Sequence, residues 1–363
     1  MTGFKLAGGR ALDPLLFVTD AARLRRRVGP WARTCLAAIR DAGHTVFDLE
    51  GEARAHRAVA AVRRASLDPG LAGVVLLGGP TVVPTRIVDS LPAALRKQVK
   101  GVDDPDDFYV WSDEAYADRD GDDIAELPLT RVPDGGSTGF LKRVLTAGPP
   151  SGRRPSGYRN IHRPFAEEIY RLLAARRPMV RSARATPRSI GPGTVRGDRV
   201  YIMMHGSPFD GTRYWGETAK AQPLLAVRPP NIGKVPGATV FTGCCWGAMA
   251  WSPMAKQALG GVTVRARTPA GSLALRFLAQ GARAFVGCTA AHYSPTGRSY
   301  RAAGGPMHMA FWKHALSGKP PAEALFEAKI DYALWMRSQR MTPESRAIGF
   351  KVLREYACLG LGW

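Results

Sequence analysis

The chain has 363 residues, 45% hydrophobic and 22% charged, and a formal net charge of +21. That is ordinary globular composition with enough apolar content for a sizeable core. No apolar run approaches the length of a membrane-spanning helix, and the five cysteines (Cys35, Cys244, Cys245, Cys288, Cys358) include no CxxC pair, which argues against a zinc ribbon or a disulfide framework.

The first half alternates apolar strand-like runs with helical stretches. "LLFVT" (15–19), "HTVFDL" (44–49), "GVVLLGG" (73–79) and "ELPLTRV" (126–132) read as strands, and helices are expected around 20–41, 53–65 and 88–99. Such alternation predicts a layered α/β sheet with helices on its faces. The Gly/Pro loop "GGPTVVPT" is neither GxGxxG nor a Walker loop, so no nucleotide fingerprint is present. The start of the chain, "MTGFKLAGGRALDPLLFVTD", does not read as a secretory leader, and a cytoplasmic location is the default expectation.

Charge is unevenly spread. Asp103 to Glu126 holds eleven acids and one base, Arg119, leaving 50 basic against 19 acidic residues elsewhere. Such a surface attracts nucleic acid without sequence preference, or serves only as an Arg-rich solvated face. Within the acidic stretch, "DRDGDD" spaces Asp118, Asp120 and Asp122 as a calcium loop does, but without a glutamate at the twelfth position. A solvated loop with no cofactor is the plainer expectation, and calcium is the alternative.

Residues 148–200 are rich in Pro, Gly, Ser and Arg and read as an exposed connector around one amphipathic helix at 165–177. Strands resume at "VYIMMHG" (200–206), "ATVFTG" (238–243) and "ARAFVGCT" (282–289), with helices near 252–259, 271–280, 306–317 and 321–338. Apolar strands without alternation imply burial on both faces, hence a parallel sheet. Two subdomains follow: an N-terminal α/β unit with the acidic loop (1–147), and a second unit (148–363) that opens with the Arg-rich connector (148–200).

Two consecutive strands of the second unit end in reactive residues, His205-Gly206 and Cys244-Cys245. Strand C-termini of a parallel sheet share one rim, where ligands bind, and neighbouring strands lie about 4.8 Å apart. A thiol with an ordinary pKa near ~8.5 is mostly protonated at neutral pH, and a nearby imidazole can take its proton. Glycine permits close backbone approach to a developing oxyanion. Each residue alone fits an ordinary core or strand-end role; together they predict nucleophilic catalysis.

These stretches resemble the caspase-like cysteine peptidases, the clan of caspases, legumains, separases and gingipains, and most of all the gingipain family. "HGS…YWGE" (205–217) and "TVFTGCCWG" (239–247) are similar to its His-Gly and small-residue-Cys stretches, while "FLAQGARAFVGCTAAHYSP" (277–295) and "ALSGKPPAEALFEAKIDY" (315–332) resemble its later elements. The resemblance implies a caspase-like three-layer α/β fold with a mostly parallel sheet, preceded by a smaller α/β subdomain. It implies a cysteine endopeptidase acting on peptide or protein substrates, with Cys244 as nucleophile because Gly247 follows three residues later, and His205 as acid and base. The N–H groups of Gly206 and Cys244 would hold the oxyanion. It also implies a preference for Arg or Lys before the cut, with Asp106 of "DDFY" at the pocket base and Tyr293 lining it. Cys245 would be incidental. One departure stands out: no apolar strand is legible between 133 and 200, and "PMVRSARATP" is a poor substitute, so the sheet is expected to be a strand short or the segment to be unstructured. The rival reading is a catalytically silent caspase-like module that binds nucleic acid or an acidic partner through its basic surface.

Overall fold

The computed structural model describes residues 13–150, 152 and 154–363. The opening stretch that was read for a leader lies largely outside them. Ten strands form one sheet: β1 (Leu15–Thr19), β2 (Thr45–Asp48), β3 (Gly73–Leu77), β4 (Leu129–Val132), β5 (Pro155–Arg159), β6 (Val180–Arg181), β7 (Arg199–Met203), β8 (Thr239–Thr242), β9 (Ala284–Cys288) and β10 (Tyr356–Gly360). Their spatial order is β2-β1-β3-β4-β10-β9-β8-β7-β5-β6. Every pairing is parallel except β9–β10. Strand sense therefore reverses once, at the junction of the two halves. The C-terminal rim of β5, β7, β8 and β9 runs alongside the N-terminal ends of the first half's strands.

Helices cover both faces, giving three layers, and this is a caspase-like fold. The main ones are α1 (Ala21–Val28), α2 (Trp31–Asp41), α3 (Ala55–Ser66), α4 (Thr138–Leu145), α5 (Phe165–Tyr170), α6 (Leu273–Ala279), α7 (Gly305–Leu316), α8 (Pro321–Ser338) and α9 (Pro343–Glu355). Side chains alternate across the central strands. Val200, Ile202, Val240 and Phe285 pack in the core that holds Leu275 and Phe277 of α6. Tyr201, Met203, Phe241 and Val286 join Phe165 of α5 and Phe311 and Trp312 of α7 on the opposite side. The boundary expected at 147/148 falls between α4 and β5, and the sheet continues across it through β4–β10.

Three expectations are corrected. The sheet is not a strand short: "PSGYR" forms β5, paired in full register with β7 from Pro155↔Arg199 to Arg159↔Met203. Neither is 148–200 an exposed connector, because Tyr158, Phe165, Ile169 and Tyr170 are buried. The strand is hard to read because it carries Pro, Ser and Gly where strands favour branched residues. Here small size is what packing demands: a Cβ at Gly157 would lie 2.7 Å from Tyr170 Cε2 and 2.8 Å from Met179 Cγ. The helix expected at 88–99 is a strand at Arg86–Asp89, paired antiparallel with Tyr109–Ser112, then one helical turn at Ala93–Arg96. No helix among the described residues is long and apolar enough to cross a membrane.

Candidate active site

β7 and β8 are direct parallel neighbours, with Thr242 opposite Ile202, so the residues that follow them emerge side by side. The His205 backbone is held by exchange with Trp215: its N–H donates at 2.8 Å and its carbonyl accepts at 3.0 Å. Trp215 belongs to a hairpin formed by Tyr214–Glu217 and Pro223–Val227. Gly206 packs directly on the cysteine pair. A Cβ there would sit 2.0 Å from the Cys245 carbonyl oxygen and 3.6 Å from Cys244 Cβ, so only glycine fits.

The His205 ring is part-exposed and held at Nε2. That nitrogen lies 2.8 Å from Asn160 Nδ2 and 3.4 Å from Glu217 Oε1. Asn160 also donates to Glu217 Oε2 at 2.5 Å, and its backbone N–H donates to the Met203 carbonyl at 2.7 Å. Burial pushes the Glu217 carboxyl up, but the Asn160 amide and the His205 ring outweigh it, and the net shift is downward. Both contacts to the ring use Nε2, which leaves Nδ1 for proton transfer.

Cys244 is fully buried, and burial pushes its thiol up to about 12 despite partial relief from the Thr242 hydroxyl and the Met204 backbone. Its N–H donates to Thr242 Oγ1 at 3.0 Å, so that group is engaged rather than open to an oxyanion, contrary to expectation. Cys245 is part-exposed, and its sulfur accepts from the His292 N–H at 3.3 Å. Burial raises this thiol to about 11. Among the described residues, no hydrogen bond joins either thiol to the His205 ring.

Asp106 and Tyr293 are brought together, around a cation supplied by the chain itself. Asp106 is fully buried; it accepts from Trp246 Nε1 (3.0 Å), from the Ala291 N–H (2.6 Å) and from Lys351 Nζ of α9 (2.9 Å). Asp104 binds the same ammonium with both oxygens, at 2.7 and 2.6 Å. The Tyr293 ring centroid lies 5.6 Å from Lys351 Nζ. Asp106 thus closes an internal ion cluster instead of facing an open pocket.

The acidic loop draws Asp118, Asp120, Asp122 and Glu126 within 4.8 Å of one another. Much of its carboxylate capacity is spent locally: Asp118 is buried, pairs with Arg63 at 3.0 Å and accepts from the N–H groups of Gly121 and Asp123. Burial, then the crowding of its acidic neighbours, raises the Glu126 carboxyl.

Asn160, Glu217 and Lys351 are the site residues that sequence reading missed. Glu217 closes the "YWGE" stretch, a signal already in view. Asn160 was hidden by the unread β5. Lys351 lies with Ala347 and Glu355 on one fully buried stripe of α9 at four-residue spacing, so a charged pair on an apolar face was the available clue.

No family model matches the chain, and no curated protein matches it in sequence. Solved structures do match in fold. One is the crystal structure of the Arg-specific cysteine proteinase gingipain R, with a TM-score of 0.61 and 12% identity over 98% of this chain and 79% of that one. Another is the complex of the pro- and mature domains of RgpB from Porphyromonas gingivalis, with a TM-score of 0.56 and 11% identity over 96% and 78% of the two chains.

Proposed function

We propose that this chain is a cysteine endopeptidase held in a closed resting form. The observation that carries the reading is the seating of His205-Gly206 against Cys244-Cys245 at one rim of the sheet, with the imidazole steadied by Asn160 and Glu217. Cys244 is the preferred nucleophile because it stands three residues before Gly247, as in the gingipain-like stretch it resembles, and the Cys245 sulfur accepts from the His292 N–H.

In the reaction, His205 takes the thiol proton as Cys244 Sγ bonds to the scissile carbonyl carbon and the carbonyl electron pair moves to oxygen. With the Cys244 N–H engaged by Thr242, the Gly206 N–H is the donor assigned to the oxyanion. The C–N bond then breaks, with His205 returning the proton to the amine, and water hydrolyses the thioester with His205 as base. A thiol raised to about 12 is almost entirely protonated at neutral pH, so substrate binding has to uncover Cys244 and bring it to the imidazole. Preference for Arg or Lys requires Lys351 to leave Asp106; with Lys351 in place the favoured side chain before the cut is uncharged.

The same raised thiols favour a second reading, a catalytically silent module. One experiment separates the two. The protein is treated with electrophilic peptides bearing Arg, Lys, Leu or Ala next to the warhead, and adducts are located by mass spectrometry. The endopeptidase reading expects an adduct that disappears in Cys244→Ala and persists in Cys245→Ala. Absence of any site-specific adduct, with no thiol-dependent peptide hydrolysis, overturns it in favour of the silent module.

A further inference from the structure

At the N-terminal ends of β5 and β7, the rim opposite His205 and Cys244, lies a concavity of about 1000 Å³. Arg154, Arg176, Arg177, Arg196 and Lys234 line it; all five are exposed, and none forms an ion pair among the described residues. Among the described residues, Asp198 is the single acid of the lining. Its two carboxylate oxygens both accept from the Arg154 backbone N–H at 2.7 Å, and its own N–H donates to the Arg154 carbonyl at 3.1 Å. That reciprocal clasp fixes the floor where β5 and β7 begin.

Five unpaired cations around one concavity repel each other, and low-dielectric walls focus their field, so a multiply charged anion is the ligand that relieves the strain. Guanidinium forks match phosphate oxygens bidentately, and four of the five cations are arginines. Among the described residues, the lining has no aromatic ring on which a nucleobase could stack. We infer that this concavity binds a compact oligophosphate, a short chain of phosphate groups recognised by charge and shape.

The inference is independent of whether Cys244 is active. The test is calorimetric titration of the full chain with tripolyphosphate, ATP, orthophosphate and a short single-stranded DNA, at two salt concentrations. Expected is one saturable tripolyphosphate site that weakens with salt, with ATP comparable through its triphosphate and orthophosphate far weaker. Arg176→Glu/Arg196→Glu should weaken tripolyphosphate by at least about tenfold. Arg25→Glu/Arg26→Glu, an equal charge change on exposed positions of α1, should leave it within about twofold. Thermal melts check that both variants fold. Equal weakening in the two variants, or no saturable binding, overturns the proposal. DNA binding tighter than tripolyphosphate and lost in the first variant also overturns it, assigning the face to nucleic acid.

Discussion

Lys351 places a fully buried ammonium between two buried carboxylates. Burial on its own lowers its pKa, but Asp106 and Asp104 outweigh this and hold it above the usual lysine value. Its stabilisation is therefore fully present below the ordinary lysine pKa and is lost only as pH rises through the higher folded-state value. Lys351→Met should cost about 3–5 kcal/mol, because it strands two carboxylates in the core. The combined Asp104→Asn/Asp106→Asn/Lys351→Met variant should recover much of that loss, since none of these three positions then carries a charge. Urea unfolding of the two variants decides the matter; a single-variant loss under about 1 kcal/mol would show that the cluster is not tightly coupled. The cluster also reaches the cysteine pair, since Trp246, next to Cys245, is anchored on Asp106. At this scale the legibility of the site is uneven. His205 and Cys244 were expected from two strand ends, and Asp106 and Tyr293 from the family resemblance alone. Their shared cation was not, because it comes from a helix 245 positions beyond Asp106 in sequence.

β5 positions the imidazole. Its last residue pairs with Met203, and the next, Asn160, reaches both His205 and Glu217. The strand lies close to α5 because residue 157 has no side chain. Gly157→Val should therefore push Tyr170 and Met179 aside and cost about 1–3 kcal/mol by overpacking. It should also slow Cys244 labelling, because a misplacement of the supporting shell by about 1 Å can cost around a hundredfold in rate. Stability unchanged from the parent would mean that α5 yields freely. Strands such as β1, β3, β7, β8 and β9 were legible because continuous apolar runs are forced by burial on both faces. β5 was not, because its residues answer to a bulky neighbour across the interface and not to strand propensity.

For the whole molecule, the C-terminal strand is the seam. β10 sits between β4 and β9, antiparallel to one and parallel to the other, and the Thr130 hydroxyl of β4 donates to the carbonyls of Cys358 (3.0 Å) and Gly360 (2.7 Å). Removing residues 356–363 leaves two buried edges unpaired, so the chain should lose its cooperative unfolding transition. Thermal circular dichroism reads this directly, and a sharp transition near the parent's would show that the halves cohere without the strand.

The amino-acid sequence by itself determined the alternating α/β pattern, the unequal charge and the placement of His-Gly and Gly-Cys at two strand ends, because these are local properties of period, composition and turn chemistry. Only the tertiary structure decided the reversal of strand sense at β9–β10, the insertion of "PSGYR" as an inner strand, the burial of Cys244 and the capture of Asp106 by Lys351. Each of those depends on which surfaces meet across long sequence separations, and desolvation and ion pairing there are set by neighbours that no single stretch of chain contains.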